Sequence, residues 1–137
     1  MQGTYAGAIS WGLNCNAQVS YHYVVRSSDG QVTQMVLESN KAWHVGNENG
    51  YTIGIEHEGY VSNAAWYTPS LYQSSANLVK DITQSGYGIN PKRTYDGVGS
   101  STTQLLGNCI RIKGHQHYAN QSHTDPGIHW NWNKYYG

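Results

Sequence analysis

The sequence has no phenylalanine, three prolines, two cysteines and little charge. Asp, Glu, Lys and Arg make up 12% of its 137 residues, and the eight acidic and eight basic side chains cancel. A chain without excess positive charge has no electrostatic hold on nucleic acid or on an anionic membrane surface. No apolar run approaches the roughly 20 residues of a membrane-spanning helix. The opening MQGTYAGAIS lacks the basic and apolar regions of a signal peptide, so export information is expected to lie outside the chain or to have been removed. Neither Cys15 nor Cys109 belongs to a short Cys-x-x-Cys or Cys/His cluster, which disfavours a cysteine zinc site. The pair is compatible with one disulfide in an oxidising compartment or with two buried thiols.

Polarity comes instead from Ser, Asn, Gln, Thr and Gly, and twelve Tyr and five Trp supply aromatic surface that also hydrogen-bonds. This mixture suits an extracellular protein that handles a sugar–peptide polymer, and equally a soluble globular domain of another kind. Residues 1–137 give room for one domain with a single core and too little chain for two.

Thr4 is placed to cap a short helix through Leu13, with Tyr5, Ala8, Ile9 and Trp11 partly on one face. In Gln18 to Arg26, Val19, Tyr21, Tyr23 and Val25 alternate with Ser20, His22 and Val24, a strand pattern. The turn Ser27 to Gly30 leads to a second strand over Val32 to Leu37, which makes a hairpin. Tyr51 to Glu58 predicts a third strand, with Ile53 and Ile55 on one face and Thr52, Gly54, Glu56 and Glu58 on the other. Thr68 as N-cap and Pro69 at the first helical position open a helix carrying Leu71, Tyr72, Ser75, Leu78, Val79 and Ile82, stopped by Gly86 and Gly88. Residues 94–108 form a polar, Gly-rich surface loop, Ile110 to Lys113 a short strand, and the tail HWNWNKYY a helical turn or two. Strands alternating with helices predict an α/β fold, a mixed central sheet with helices packed on it.

Seven histidines is a high count, and their placement matters more than their number. His115 follows a strand end at Gly114, and Asp125 lies ten residues on, in His123-Thr124-Asp125-Pro126-Gly127. A neutral imidazole and a carboxylate on neighbouring loops can share a zinc ion, although an Asp-Pro-Gly turn beside an unrelated His has the same pattern. Glu56 sits within an apolar strand, on the face opposite Ile53 and Ile55. Two readings fit it: a general base for an activated water, or a solvated sheet face, which Glu58 two residues on would support.

The segments VSYHYVVRSSDGQVTQMV, KAWHVGN, YTIGIEHEGY, the Gly114-His115 pair and HTDPGIHWNW occur in this order. Together they closely resemble the N-acetylmuramoyl-L-alanine amidases of the second amidase type, a family that includes phage amidase-type lysozymes and the peptidoglycan recognition proteins. The resemblance runs over nearly the whole chain, with the Gly-rich stretch before Cys109 as its main departure. It implies a mixed β-sheet flanked by helices and one Zn2+ held by two His and an Asp or Cys. It further implies hydrolysis of the amide between N-acetylmuramic acid and L-alanine in peptidoglycan by a secreted, periplasmic or wall-associated enzyme. By this match His115 and Asp125 are metal ligands and Glu56 polarises the water. His123 falls where relatives carry a Lys or His that meets the developing oxyanion. Tyr21 falls where phage members have a catalytic Tyr and many bacterial members an Ala, and Trp43, His44 and Asn47 match the rim of the muropeptide groove.

Relatives carry their first His ligand on a strand just ahead of the Gln-Gly-Ser/Thr-Tyr segment, which here is Gln2 to Tyr5. The resemblance therefore implies a sheet that lacks its first strand within residues 1–137, with another segment or chain to complete it. His22, expected to point away from Tyr21, is a weak substitute for the missing ligand. The competing reading is a muropeptide-binding module without catalysis, favoured by the absent ligand and opposed by Glu56, His123, His115 and Asp125. Cys15 and Cys109 are expected to lie close enough to pair.

Overall fold

The computed structural model describes residues 2–91, 105–107, 110–119 and 122–136. The expected surface loop over 94–108, apart from 105–107, and the Cys15–Cys109 pairing fall outside the described residues. Cys15 itself is exposed.

Thr4 adopts an extended backbone and its hydroxyl accepts the Gly7 N–H, which starts helix α1 at Tyr5–Gly12. Tyr5 and Ala8 face inward and Ile9 is half-buried, but Trp11 is 55% exposed and does not join the stripe. Two residues beyond Ile9, at about 3.6 residues per turn, it falls on the far side of the helix.

The sheet has three strands in the order β2-β1-β3, with β1 at Tyr23–Val25, β2 at Val32–Gln34 and β3 at Ile55–His57. The antiparallel β1–β2 pair sets Val24 opposite Thr33, and the parallel β1–β3 pair sets Val24 opposite Glu56. All three are shorter than the alternating segments predicted, and the His22 side chain gives one reason. Its Nδ1 accepts the Gly54 N–H and its Nε2 donates to the Asn40 carbonyl, so the Gly54 amide is taken by a side chain while the His22 N–H still donates to the Gly54 carbonyl. Ile110 to Lys113, expected as a strand, lies outside this three-stranded ladder. Among the described residues no strand lies beyond β3.

Both faces of the sheet are covered. Val24 packs with Tyr5, Ala8 and Tyr21 beneath α1. Val25 packs with Leu71, Tyr72, Trp130, Trp132 and Tyr135 beneath α2 (Pro69–Gln84) and α3 (Trp132–Tyr136). Thr68 and Pro69 start α2 as predicted, and Leu71, Tyr72, Ser75 and Ile82 form its buried face. Parallel register keeps paired side chains on one face, so Glu56 shares the α1 side with Val24, while Ile55 and His57 turn toward α2.

Glu58 corrects the reading of this strand as a solvated face. It is 9% exposed, and its carboxylate accepts the backbone N–H of Tyr5 and of Ser27, both at 2.8 Å. Tyr5 is the first residue of α1, so the charge lies against the unpaired amides of a helix N-terminus. Glu58→Ala would leave two buried donors without an acceptor, at about 1–3 kcal/mol each. The variant is expected to lose about 3 kcal/mol in chemical denaturation, and a loss below about 0.5 kcal/mol would contradict this role.

Candidate active site

A cleft of about 1140 Å³ runs round the outer side of β3, touching Glu56 on one face and Ile55 and His57 on the other. Tyr21, His44, His115 and Asp125 also line it. Glu56 thus opens onto the same space as the His115–Asp125 pair.

Two loops make that pair. Gly114 is extended, at φ −77° and ψ 164°, and presents His115 at the head of a short 3-10 turn, His115–His117. The opposite loop carries Asp125 and turns through a cis Asp125–Pro126 bond. Buried Gln116 clasps the two: its N–H donates to the Asp125 carbonyl and its Oε1 accepts the Gly127 N–H, each at 3.0 Å. The Pro126 ring lies so close that a Cβ on Gly114 would stand 2.3 Å from Pro126 Cδ. His115 Nδ1 then lies 3.6 Å from Asp125 Oδ2.

That separation is long for a hydrogen bond. It is close to the edge of a tetrahedron with zinc at its centre, about 3.4 Å for bonds of 2.0–2.2 Å. Burial alone would push the Asp125 carboxyl up, but the His115 imidazole beside it, together with further positive charge and a backbone hydrogen bond, holds it below the usual carboxylate range. An anionic oxygen and an imidazole nitrogen at this spacing fit a zinc ion.

His123 stands in the same group, its Nδ1 3.8 Å from Asp125 Oδ1, and donor atoms of His115, His123 and Asp125 all lie within 4.8 Å. The three could hold one ion together only with both imidazole lone pairs turned toward it. The His115 and His123 rings are stacked, 4.1 Å between centroids and 13° between planes. An imidazole lone pair lies in its ring plane, so an ion shared by both rings must lie in both planes at about 2.0–2.1 Å from each nitrogen. Nearly parallel planes do not meet there. His123 is largely exposed.

Tyr21 lines the cleft, but its hydroxyl donates to the Ala8 carbonyl. Burial, and then the charge of Glu56, push its pKa up to about 12. His44 also lines the cleft, with Nε2 2.9 Å from Thr52 Oγ1, which itself donates to the Glu48 carbonyl. Nε2 is therefore the protonated nitrogen by its partners. Burial, then neighbouring His22, bring its pKa down to about 4, so the ring is neutral at physiological pH. Trp43 and Asn47 are not brought into this cleft: Trp43 is half exposed beside Leu13 at a separate shallow depression, and Asn47 is exposed on the turn Gly46–Gly50. His22 has both ring nitrogens engaged with backbone, which leaves no lone pair for a metal.

Sequence reasoning missed Gln116, Asn49 and the glycines. Asn49 Oδ1 accepts the N–H of both His44 and Val45, fixing that loop. Gly54 is the only size that fits beneath His44, because a Cβ there would stand 2.5 Å from the ring. The Asn-Glu-Asn-Gly run and the Gly-His pair were visible as strings, but what they touch was not.

A family described as N-acetylmuramoyl-L-alanine amidase, Amidase_2, matches residues 1–128. N-acetylmuramoyl-L-alanine amidase A of Achromobacter lyticus is 44% identical over 137 residues, covering 99% of this chain and 77% of that protein. The 1,6-anhydro-N-acetylmuramyl-L-alanine amidase AmpD of Haemophilus influenzae is 31% identical over 126 residues, covering 86% of this chain and 57% of that one. Among solved structures, the fold is similar to the N-acetylmuramyl-L-alanine amidase AmiD from E. coli in complex with the substrate anhydro-N-acetylmuramic acid-L-Ala-D-gamma-Glu-L-Lys. That match has a TM-score of 0.55 and 26% identity over 65% of this chain and 42% of AmiD.

The Gly114–Pro126 contact yields a test. Gly114→Ala must displace a rigid Pro126 ring and with it Asp125. Zinc affinity, measured by chelator competition, is expected to fall by about 10- to 100-fold, the scale for losing a group that orients a ligand. Unchanged affinity would show that the two loops are set by other contacts.

Proposed function

Because this chain belongs to the N-acetylmuramoyl-L-alanine amidase family and is an enzyme of that class, we propose that it cuts the amide between N-acetylmuramic acid and L-alanine in peptidoglycan with zinc held by His115 and Asp125. The observation that carries this reading is the 3.6 Å separation of His115 Nδ1 and Asp125 Oδ2, in a cleft that Glu56 also lines. When bound, zinc supplies a Lewis acid for the scissile carbonyl and lowers the pKa of a water toward about 7.

The chain's own residues do the rest. Glu56 takes the proton of the attacking water and returns it to the leaving amine of L-alanine. His123, stacked on His115 and largely exposed, donates to the oxyanion as the carbonyl becomes tetrahedral. His44 forms part of the neutral wall against which the substrate lies, and Trp43 and Asn47 meet it outside the cleft. Tyr21, with its proton given to Ala8, orients the wall beside Glu56 and is not a proton donor in this scheme. An extended segment along the outer side of β3 would complete the sheet, a reading supported by the cleft that runs round that strand. Low charge and abundant Tyr and Trp favour action at the cell wall, as a secreted or periplasmic enzyme. A binding module without catalysis would need neither the half-buried Asp125 nor Glu56.

Three substitutions separate these roles. Glu56→Gln is expected to keep zinc and fold while reducing turnover of cell walls by about two orders of magnitude. Asp125→Ala is expected to lose zinc in elemental analysis, whereas His123→Ala should keep it and lose rate. Near-normal turbidity loss with Glu56→Gln would remove it from the mechanism. Loss of metal from His123→Ala would make His123 a ligand.

A further inference from the structure

Resting on the reading of His115 and Asp125 as zinc ligands, we propose that Tyr67 is a positioning residue for the metal. Its hydroxyl holds the Pro126 carbonyl and thereby fixes where Asp125 presents its carboxylate.

The backbone around Asp125 is held group by group. The Asp125 carbonyl accepts the Gln116 N–H, and the Gly127 N–H donates to Gln116 Oε1, so both bonds run to the loop that carries His115. These ties join the two ligand loops to each other. Between them lies the Pro126 carbonyl, which accepts the Tyr67 hydroxyl at 2.5 Å across 59 residues of chain. Tyr67 belongs to the connection from β3 to α2, so this bond ties the ligand loops to the sheet and its helix. Pro126 is held from two sides, its ring against Gly114 and its carbonyl on Tyr67.

Tyr67 is itself anchored. Its N–H closes the short 3-10 turn Ala64–Trp66 by donating to the Ala64 carbonyl at 3.1 Å. On one side of it the Trp66 carbonyl accepts the Ser27 hydroxyl, and on the other Thr68, the N-cap of α2, donates its hydroxyl to the Ser27 carbonyl. The ring of buried Trp130 stands edge-on to the Tyr67 ring, 5.4 Å between centroids and 88° between planes. Backbone and ring are both fixed, so the hydroxyl is aimed at one place. Burial, and then the charge of Asp125, push the Tyr67 pKa above its usual range, and the hydroxyl keeps the proton it donates. Without that hydroxyl the Pro126 carbonyl loses its donor, and Asp125 is free to shift by more than zinc bonds of about 2.0–2.2 Å tolerate.

The experiment compares Tyr67→Phe with Tyr5→Phe, which also loses a phenol hydrogen bond, to Thr33 Oγ1, but in the cluster on the opposite face of the sheet. A role confined to stability would lower the denaturation midpoint of both variants and leave zinc binding alone. In chelator competition Tyr67→Phe is expected to bind zinc about tenfold more weakly than the parent, the scale for losing a group that orients a ligand. Tyr5→Phe is expected to match the parent. In metal-free protein, hydrogen exchange of the Gln116 and Gly127 amides should quicken about tenfold in Tyr67→Phe and stay unchanged in Tyr5→Phe. Parent-like zinc affinity in Tyr67→Phe, or an equal loss in Tyr5→Phe, overturns the assignment. If the parent binds no zinc, the zinc reading fails, and the metal-free exchange alone decides whether Tyr67 fixes the loop. Unchanged exchange in Tyr67→Phe then overturns it.

Discussion

The chemistry of this protein depends on how closely two loops approach at Gly114 and Pro126. Any side chain at Gly114 would occupy the space of the proline ring, and the two backbones could not meet. With the hydrogen, the ring packs flat, Gln116 closes both ends of the contact with backbone hydrogen bonds, and His115 and Asp125 face each other across 3.6 Å. Each is delivered by backbone that has been locked by its neighbours, which is how a site holds geometry tightly enough for a metal.

Electrostatics around the pair follow from burial. Desolvation brings His57 to about 3, His117 to about 4 and His44 to about 4. His57 is also hydrogen-bonded to Ser75, which meets the Tyr135 hydroxyl in the α2–α3 core. Three of the seven histidines are therefore neutral walls or supports at physiological pH. Charge in the cleft is left to the carboxylates and to the lysine and arginine side chains, the groups a charged substrate would sense. His123 differs in exposure, since its ring stacks on His115 at the surface rather than inside the fold.

Much of this was legible in the sequence. Caps and periodicity located α1 and α2, alternation located the three strands, and the same alternation placed Glu56 and Ile55 on opposite faces of β3. The resemblance carried by five ordered segments named the family and His115, Asp125 and Glu56, which share one cleft. What stayed hidden depends on contacts between distant residues. Glu58 looks like Glu56 in a string, but α1 folds its first amide onto it. Trp11 was placed partly on the apolar face of α1, yet it is largely exposed. Local pattern shows which side of an element a residue takes, and not what arrives on that side.

The central claim is that zinc binds between His115 and Asp125, with His123 outside the coordination sphere. The most direct test is a crystal of the zinc-loaded protein measured at the zinc absorption edge. The account predicts one anomalous peak about 2.0–2.2 Å from His115 Nδ1 and from a carboxylate oxygen of Asp125. It also predicts that His123 will be beyond bonding distance and that the same peak will persist in Glu56→Gln. A peak bonded to His123, or no peak between His115 and Asp125, would contradict it.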